Sequence, residues 1–254
     1  DLAVARNCGW RMARAELMAF TDDDTVPEPD WLAQGLAAME CGRWVAMAGR
    51  VVVPRPPDAG AAPSDHELMT RGLEQAAFVT ANAFVRTWAL RRIGGFDERF
   101  RRAWREDSDL QFRLQQVGAV GRCEAALVLH PVRPERWGVS LRQQKNVFYD
   151  ALLYRKHPHR YRAELRPVPP WDYYATVAFA FAASVLLLTG HRAASACMAL
   201  PALLAIAALT RRRLRATSRT PAHVLEMALT SALIPFLSVY WRLRGAWHFR
   251  VWFV

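Results

Sequence analysis

Two groups of carboxylates stand out in the first half of this 254-residue chain: Asp22-Asp23-Asp24 and Glu106-Asp107-Ser108-Asp109. Neighbouring carboxylates repel, and ionising them together is costly unless a cation compensates. The alternate residues Asp22 and Asp24 can point the same way, which suits the ribose of a nucleotide on one side and a hard divalent ion, Mg²⁺ or Mn²⁺, on the other. The second group opens a predicted helix, where the macrodipole favours negative charge. A carboxylate held there can act as a general base if a substrate hydroxyl reaches it. His130 follows an apolar run and precedes Pro131, so it belongs at a sheet edge, where a neutral imidazole could complete a metal shell. Each group also has a plainer reading. The three aspartates could be an acidic turn capping a helix at Pro29, the second group an ordinary acidic first turn, and the histidine structural.

The elements that must position these residues alternate between helical and strand patterns. A helical stripe over Asp1–Ala15 leads to a short apolar strand, Leu17–Thr21, that runs into the aspartates. A helix follows over Asp30–Cys41, then a β-rich run, Trp44–Val53, with the low polarity of a sheet buried on both faces. Arg55–Ser64, with three prolines and a glycine, reads as an exposed loop. Ala76–Val85 reads as strand and Thr87–Ile93 as a helix stopped by Gly94-Gly95. A helix over Glu106–Val117 and a strand over Val120–His130 complete the series. The pattern predicts an α/β sandwich with a mostly parallel sheet, whose C-terminal strand edges are where such folds place ligands.

Beyond a helix at Ser140–His157 the composition turns apolar. Trp171–Thr189 and Ala193–Leu209 each approach the ~20 residues needed to cross a bilayer. They are joined by Gly190-His191-Arg192 and followed by Arg211-Arg212-Arg213-Leu214-Arg215. Arginines at the base of such a hairpin fit two spans with cytoplasmic ends; a soluble helical hairpin is the alternative. A third apolar stretch, Ala222–Trp241, contains Glu226 and Pro235 and ends among arginines and tryptophans. It reads as re-entrant or as lying on the membrane surface.

Net charge is +11, and nine arginines against two acids in residues 171–254 account for +7 of it. The basicity therefore belongs mainly to the apolar tail, which argues against nucleic acid as a partner. Cys8, Cys41, Cys123 and Cys197 show neither metal-binding nor disulfide spacing and read as small buried thiols. The chain begins inside an amphipathic stretch, so a domain already under way is expected.

The first 150 residues resemble the family 2 glycosyltransferases of the GT-A fold. The resemblance rests on Ala5-Arg6-Asn7-Cys8-Gly9, Phe20-Thr21-Asp22-Asp23-Asp24, Pro29-Asp30-Trp31-Leu32, Thr80-Ala81-Asn82-Ala83-Phe84-Val85-Arg86, Gly94-Gly95-Phe96-Asp97-Glu98-Arg99-Phe100 and Glu106-Asp107-Ser108-Asp109-Leu110, in that order. It implies a Rossmann-like sheet sandwiched by helices in residues 1–165, without the family's first nucleotide-binding elements, and a membrane-associated helical region in 166–254. It implies an inverting transfer of a sugar from a nucleotide-diphosphate donor to a lipid-linked or glycan acceptor. Asp107 would be the base, with Glu106 as its neighbour. Arg6, Asn7, Asp22 and Asp23 would bind the donor, with Arg6 toward the nucleobase. Asp24 and His130 would hold Mn²⁺ or Mg²⁺, and Asn82, Gly94, Gly95 and Trp104 would meet the acceptor. The enzyme would be a membrane protein with its catalytic part on the cytoplasmic face. The processive synthases' Q-x-x-R-W motif has only a faint echo in Gln143-Gln144-Lys145-Asn146, which implies addition of one or a few sugars. A catalytically retired sugar-binding scaffold on the same fold is the rival; the retained acids at 22, 24 and 107 speak against it.

Overall fold

The computed structural model describes residues 2–55 and 62–253, and the chain forms two compact units. Most of the expected loop Arg55–Ser64 lies outside the described residues. The first unit holds residues 2–55 and 69–134; the second holds 62–68 and 135–253.

In the first unit α1 (Leu2–Met12) leads to β1 (Leu17–Thr21) and the two-residue β2 (Val26–Pro27). Then come α2 (Trp31–Glu40) and β3 (Trp44–Val52). After α3 (Asp65–Arg71), which crosses the boundary between the units in sequence, follow β4 (Asn82–Arg86), α4 (Thr87–Ile93), α5 (Glu106–Leu114) and β5 (Ala119–Leu129). The sheet order is β1-β4-β3-β5-β2. Strands β1, β3 and β5 run one way and β4 and β2 run against them. The α/β expectation holds and the sheet is mixed, with β3–β5 its directly bonded parallel pair.

Packing follows from the side-chain periods. Trp31, Gly35 and Met39 form the buried stripe of α2, at the i, i+4 spacing of one helix face. Gly35 is needed there because a Cβ would fall 2.1 Å from the Phe84 ring. On the other face of the sheet, Trp10, Phe20, Val85, Leu90, Phe96 and Leu110 share one core cluster. Truncating Phe84 or Phe96 to Ala would cost about 3–5 kcal/mol. The strand expected over Ala76–Val85 is shorter. Residues 76–81 are irregular because Asn82 N–H turns back to Val79 C=O, although Phe78, Val79 and Ala81 are buried.

The second unit is helical. It comprises α6 (Val139–Gln143), α7 (Val147–Lys156), the short α8 (Pro158–Arg160), a π-helical turn over Tyr161–Leu165, α9 (Trp171–Leu188), α10 (Arg192–Leu214) and α11 (Pro221–His248). The last three are each long and apolar enough to cross a membrane. Their outward faces carry Phe181, Leu187, Leu188, Leu203 and Leu204, all strongly exposed, a surface suited to lipid rather than water. Gly190, at φ +86°, turns the chain between α9 and α10, and Ser195 Oγ donates to Ala183 C=O across that hairpin.

The third apolar stretch is one continuous 28-residue helix with Pro235 inside it. The two units meet in sequence near residue 134, and α7 packs on α11 within the second. Gly245 of α11 approaches the Phe148 backbone so closely that a Cβ would sit 2.5 Å from its carbonyl oxygen. Arg213, at the end of α10, ties four segments together. It pairs with Asp65 at 2.7 Å and donates to Thr230 Oγ1, Ser231 Oγ and Ser140 Oγ.

Candidate active site

The strand register assembles the site. Thr21, the last residue of β1, stands opposite Asn82, so the aspartates that follow it emerge beside the segment carrying Thr80. Val26 of β2 stands opposite Leu129 of β5, which brings Asp24 next to His130. A tight turn holds the triplet in place. Thr25 N–H and Thr25 Oγ1 both donate to Asp22 C=O, at 3.3 and 2.7 Å. The acids thus gather at the C-terminal ends of β1 and β5, the edge where α/β sheets take ligands.

Arg6 of α1 joins the two acidic groups. Its Nη2 lies 2.6 Å from Asp22 Oδ1, and its Nη1 lies 3.3 Å from Glu106 Oε1 and 3.9 Å from Asp107 Oδ1. Burial works against its charge, but Asp107, Asp22 and Glu106 outweigh it and hold the guanidinium above its ordinary range. Arg6, expected on the donor side, thus sits between the two acidic groups.

Glu106 and Asp107 have different surroundings. Burial, reinforced by the Asp107 charge, pushes Glu106 up to about 8, against the pull of Arg6. Asp107 is also raised by burial, while Arg6 and the Thr80 hydroxyl draw it down. Thr80 Oγ1 donates to Asp107 Oδ1 at 2.6 Å. The Asp107 side chain keeps 24 % of its surface open, against 4 % for Glu106, so Asp107 is the more accessible of the two.

Asp22, Asp24 and His130 bring ligand atoms within 4.8 Å of one another. His130 Nε2 is 3.7 Å from Asp24 Oδ1, and its Nδ1 is buried without a partner. Two carboxylate oxygens and an imidazole could hold Mn²⁺ or Mg²⁺. Arg133 stands guard over the same acids, with Nε 2.8 Å from Asp24 and Nη2 3.0 Å from Asp23. The Asp23 side chain itself is 92 % exposed.

Several of the expected site residues also make internal hydrogen bonds. Asn82 is fully buried. Its Nδ2 donates to Arg50 and Ala126 carbonyls, and its Oδ1 accepts from Trp31 Nε1, so its amide is engaged inside the fold. Asn7 is likewise buried. It donates to Phe96 C=O and Glu98 and accepts from Trp10 Nε1 and Phe96 N–H, so it clamps the glycine loop. Gly94 ends α4 in the left-handed region at φ +78°, as helix C-termini favour. Gly95, at φ +74°, is buried; a Cβ there would lie 2.5 Å from Asn7 Oδ1. Arg113, paired with Asp109, donates to the Ile93 and Gly95 carbonyls from α5. Trp104 lies just before α5, with the Arg105 guanidinium 4.7 Å over its ring. All four cysteines are free, and Cys8, Cys41 and Cys197 are exposed rather than buried.

Two participants were not singled out by spacing, Thr80 and Arg133. Thr80 sits within a quoted motif, but only the sheet register brings it to Asp107. Arg133 lies three residues beyond His130 in a loop with no pattern of its own.

Two curated relatives, each called "Pre-mycofactocin glycosyltransferase" and each from a strain of Mycobacterium tuberculosis, are 34 % identical over 146 residues. The alignments cover 52 % of this chain and 30 % of each relative. The model of the glycosyl transferase family group 2 matches residues 18–209, which takes in both acidic groups, α9 and most of α10. The chain belongs to glycosyl transferase family group 2.

Proposed function

We propose that this chain carries the acceptor-activating and metal-binding part of an inverting, membrane-bound glycosyltransferase. It would move a sugar from a nucleotide-diphosphate donor to the hydroxyl of a lipid-linked or cell-envelope glycan acceptor. One observation carries the reading: Arg6 brings Asp22, which belongs to the Asp22/Asp24/His130 set, within one guanidinium of Glu106 and Asp107.

In this mechanism Asp107 accepts the proton of the attacking hydroxyl, which then displaces the nucleoside diphosphate from the anomeric carbon with inversion. Arg6 and Thr80 favour the ionised form of Asp107 that this role needs. Glu106, raised to about 8, is neutral at pH 7 and limits the negative charge the pocket must hold. Asp24 and His130 would hold the divalent cation, with Asp22 toward the ribose and Asp23 near the donor phosphates. When bound, the cation supplies charge stabilisation to the departing diphosphate. Gly94, Gly95 and Trp104 remain the proposed acceptor side, the glycines through backbone shape and the tryptophan through its ring. The arginine run at 211–215 supports placing the catalytic unit on the cytoplasmic face.

The test is a screen of nucleotide sugars with Mn²⁺, using membranes that contain the chain and reading release of nucleoside diphosphate. Pre-mycofactocin, named by the relatives, belongs in the acceptor panel. Asp107→Asn is expected to abolish transfer while donor binding survives. Asp24→Ala is expected to weaken the metal-dependent donor binding itself. Full turnover by the Asp107→Asn protein would remove the base assignment.

A further inference from the structure

Helices α10 and α11 enclose between them an open groove of about 710 Å³. Its walls are apolar over most of its length, with Leu203, Ala207 and Leu214 on α10 and Val224 and Ala228 on α11. Thr210 also faces it, but its hydroxyl is spent on Ile206 C=O. At one end stand Arg211, Arg215 and Arg219, all lining the groove and all exposed.

The residues 203, 207, 211 and 215 fall four apart, so they form one stripe down α10 to its C-cap, Arg215. That stripe is apolar for its first two members and basic for its last two. Within the same arginine run the neighbours are used differently. Arg212 reaches Asp172 and Arg213 binds Asp65, whereas Arg211, Arg215 and Arg219 have no ion pair among the described residues. Like charges at i, i+4 on a helix repel weakly, and an anion between Arg211 and Arg215 would relieve that repulsion. The first turn of α11, which begins at Pro221, adds the positive end of a long helix dipole beside Val224.

We propose that this groove binds a phosphate-bearing anionic lipid. Its hydrocarbon chain would lie along Leu203, Ala207 and Ala228, and its headgroup between Arg211, Arg215 and Arg219. The occupant is a lipid rather than free phosphate because the basic cluster opens onto the apolar trough, and a small anion would leave that trough unfilled. The site lies wholly in the helical unit and does not depend on the transfer chemistry proposed above.

The experiment uses the full chain purified in a neutral detergent, titrated with dioleoyl phosphatidylglycerol and read by native mass spectrometry. One phosphatidylglycerol per chain is expected at concentrations where dioleoyl phosphatidylcholine is not retained, and excess inorganic phosphate should not displace it. Replacing Arg211 and Arg215 together by Gln should weaken retention roughly twentyfold, since each basic residue near an anionic headgroup contributes about a fivefold effect. Ala207→Trp, which fills the trough, should lose the lipid while leaving the arginines in place. Arg192→Gln, at the far end of α10, should retain it. Equal retention by the wild-type chain and the double variant, or equal retention of the two lipids, would overturn the proposal. A second measurement needs no variant. Phosphatidylglycerol with a photoactivatable acyl chain should label the 203–214 segment of the wild-type protein, and unlabelled phosphatidylglycerol should compete. Labelling spread evenly over α9 and α10 would refute the site.

Discussion

Thr80 and Asp107, 27 residues apart in sequence, share a hydrogen bond of 2.6 Å, with the threonine hydroxyl donating to the carboxylate. The donor stabilises the ionised carboxylate, while burial raises its pKa and Arg6 opposes that rise. In the proposed reaction Asp107 must be ionised, so the rate should climb with pH along a limb lying above the ordinary carboxylate range. Thr80→Val removes one stabiliser of the charge and should move that limb further up. At a pH below the limb the variant should lose about tenfold in rate, the worth of one hydrogen bond to a charged group. At high pH it should recover most of the wild-type rate. A pH–rate profile of both proteins decides this, and an unshifted limb would separate Thr80 from the base.

The buried amide of Asn82 gives a prediction of the opposite kind, about stability rather than rate. Its three hydrogen bonds, to Arg50, Ala126 and Trp31, leave unsatisfied buried groups if it is truncated. Asn82→Ala should cost on the order of 3 kcal/mol or more, seen as a lower denaturation midpoint in a chemical unfolding series. Acceptor KM in whatever protein remains folded should not change. A folded, fully stable Asn82→Ala protein with a raised acceptor KM would restore the acceptor role.

Asn82 also shows how far the sequence could be read. Motif order was enough to place the acids, because charged side chains at strand ends and helix starts have few places to go. The same motifs contain Asn7 and Asn82, and their spacing says nothing about which way an amide points. Both turn inward, where only the packed structure shows the carbonyls and indole N–H groups they satisfy. Helix boundaries fared well where punctuation was strong, as at Thr87–Ile93 with Gly94 behind it. The strand at Ala76–Val85 was overextended because buried apolar residues occur in irregular chain too, and here Val79 C=O closes a turn. Arg133 carried no readable signal, since its meeting with Asp24 depends on β2 pairing with β5.

Arg133 competes with any cation for Asp24. Its guanidinium is 2.8 Å from Asp24 Oδ2, so a metal ion drawing on that carboxylate meets a positive charge already in place. Arg133→Gln should strengthen Mn²⁺ binding in the absence of donor by up to about fivefold, the scale of a partly exposed ion pair. His130→Ala should weaken it, because the only nitrogen of the donor set is lost. Isothermal titration with Mn²⁺ distinguishes the two. Unchanged affinity in both variants would move the cation away from Asp22, Asp24 and His130.

Glu106 should leave a mark on stability as pH changes. Its folded pKa is raised to about 8, chiefly by burial, whereas the unfolded chain releases that proton near its ordinary value of 4.5. Between those two values the folded protein holds a proton that the unfolded chain has given up. Stability therefore falls as pH rises through this window, is greatest below it, and levels off above it. Glu106→Gln has no proton to release, so its thermal midpoint should lose this part of the slope while keeping the neutral shape that Arg6 contacts. The comparison is made in detergent with a chelator present, so that bound cations do not add their own linkage. A variant with the same slope as the wild type would mean that Glu106 is already ionised at neutral pH, and the pocket would then carry one more negative charge than the mechanism assigns it.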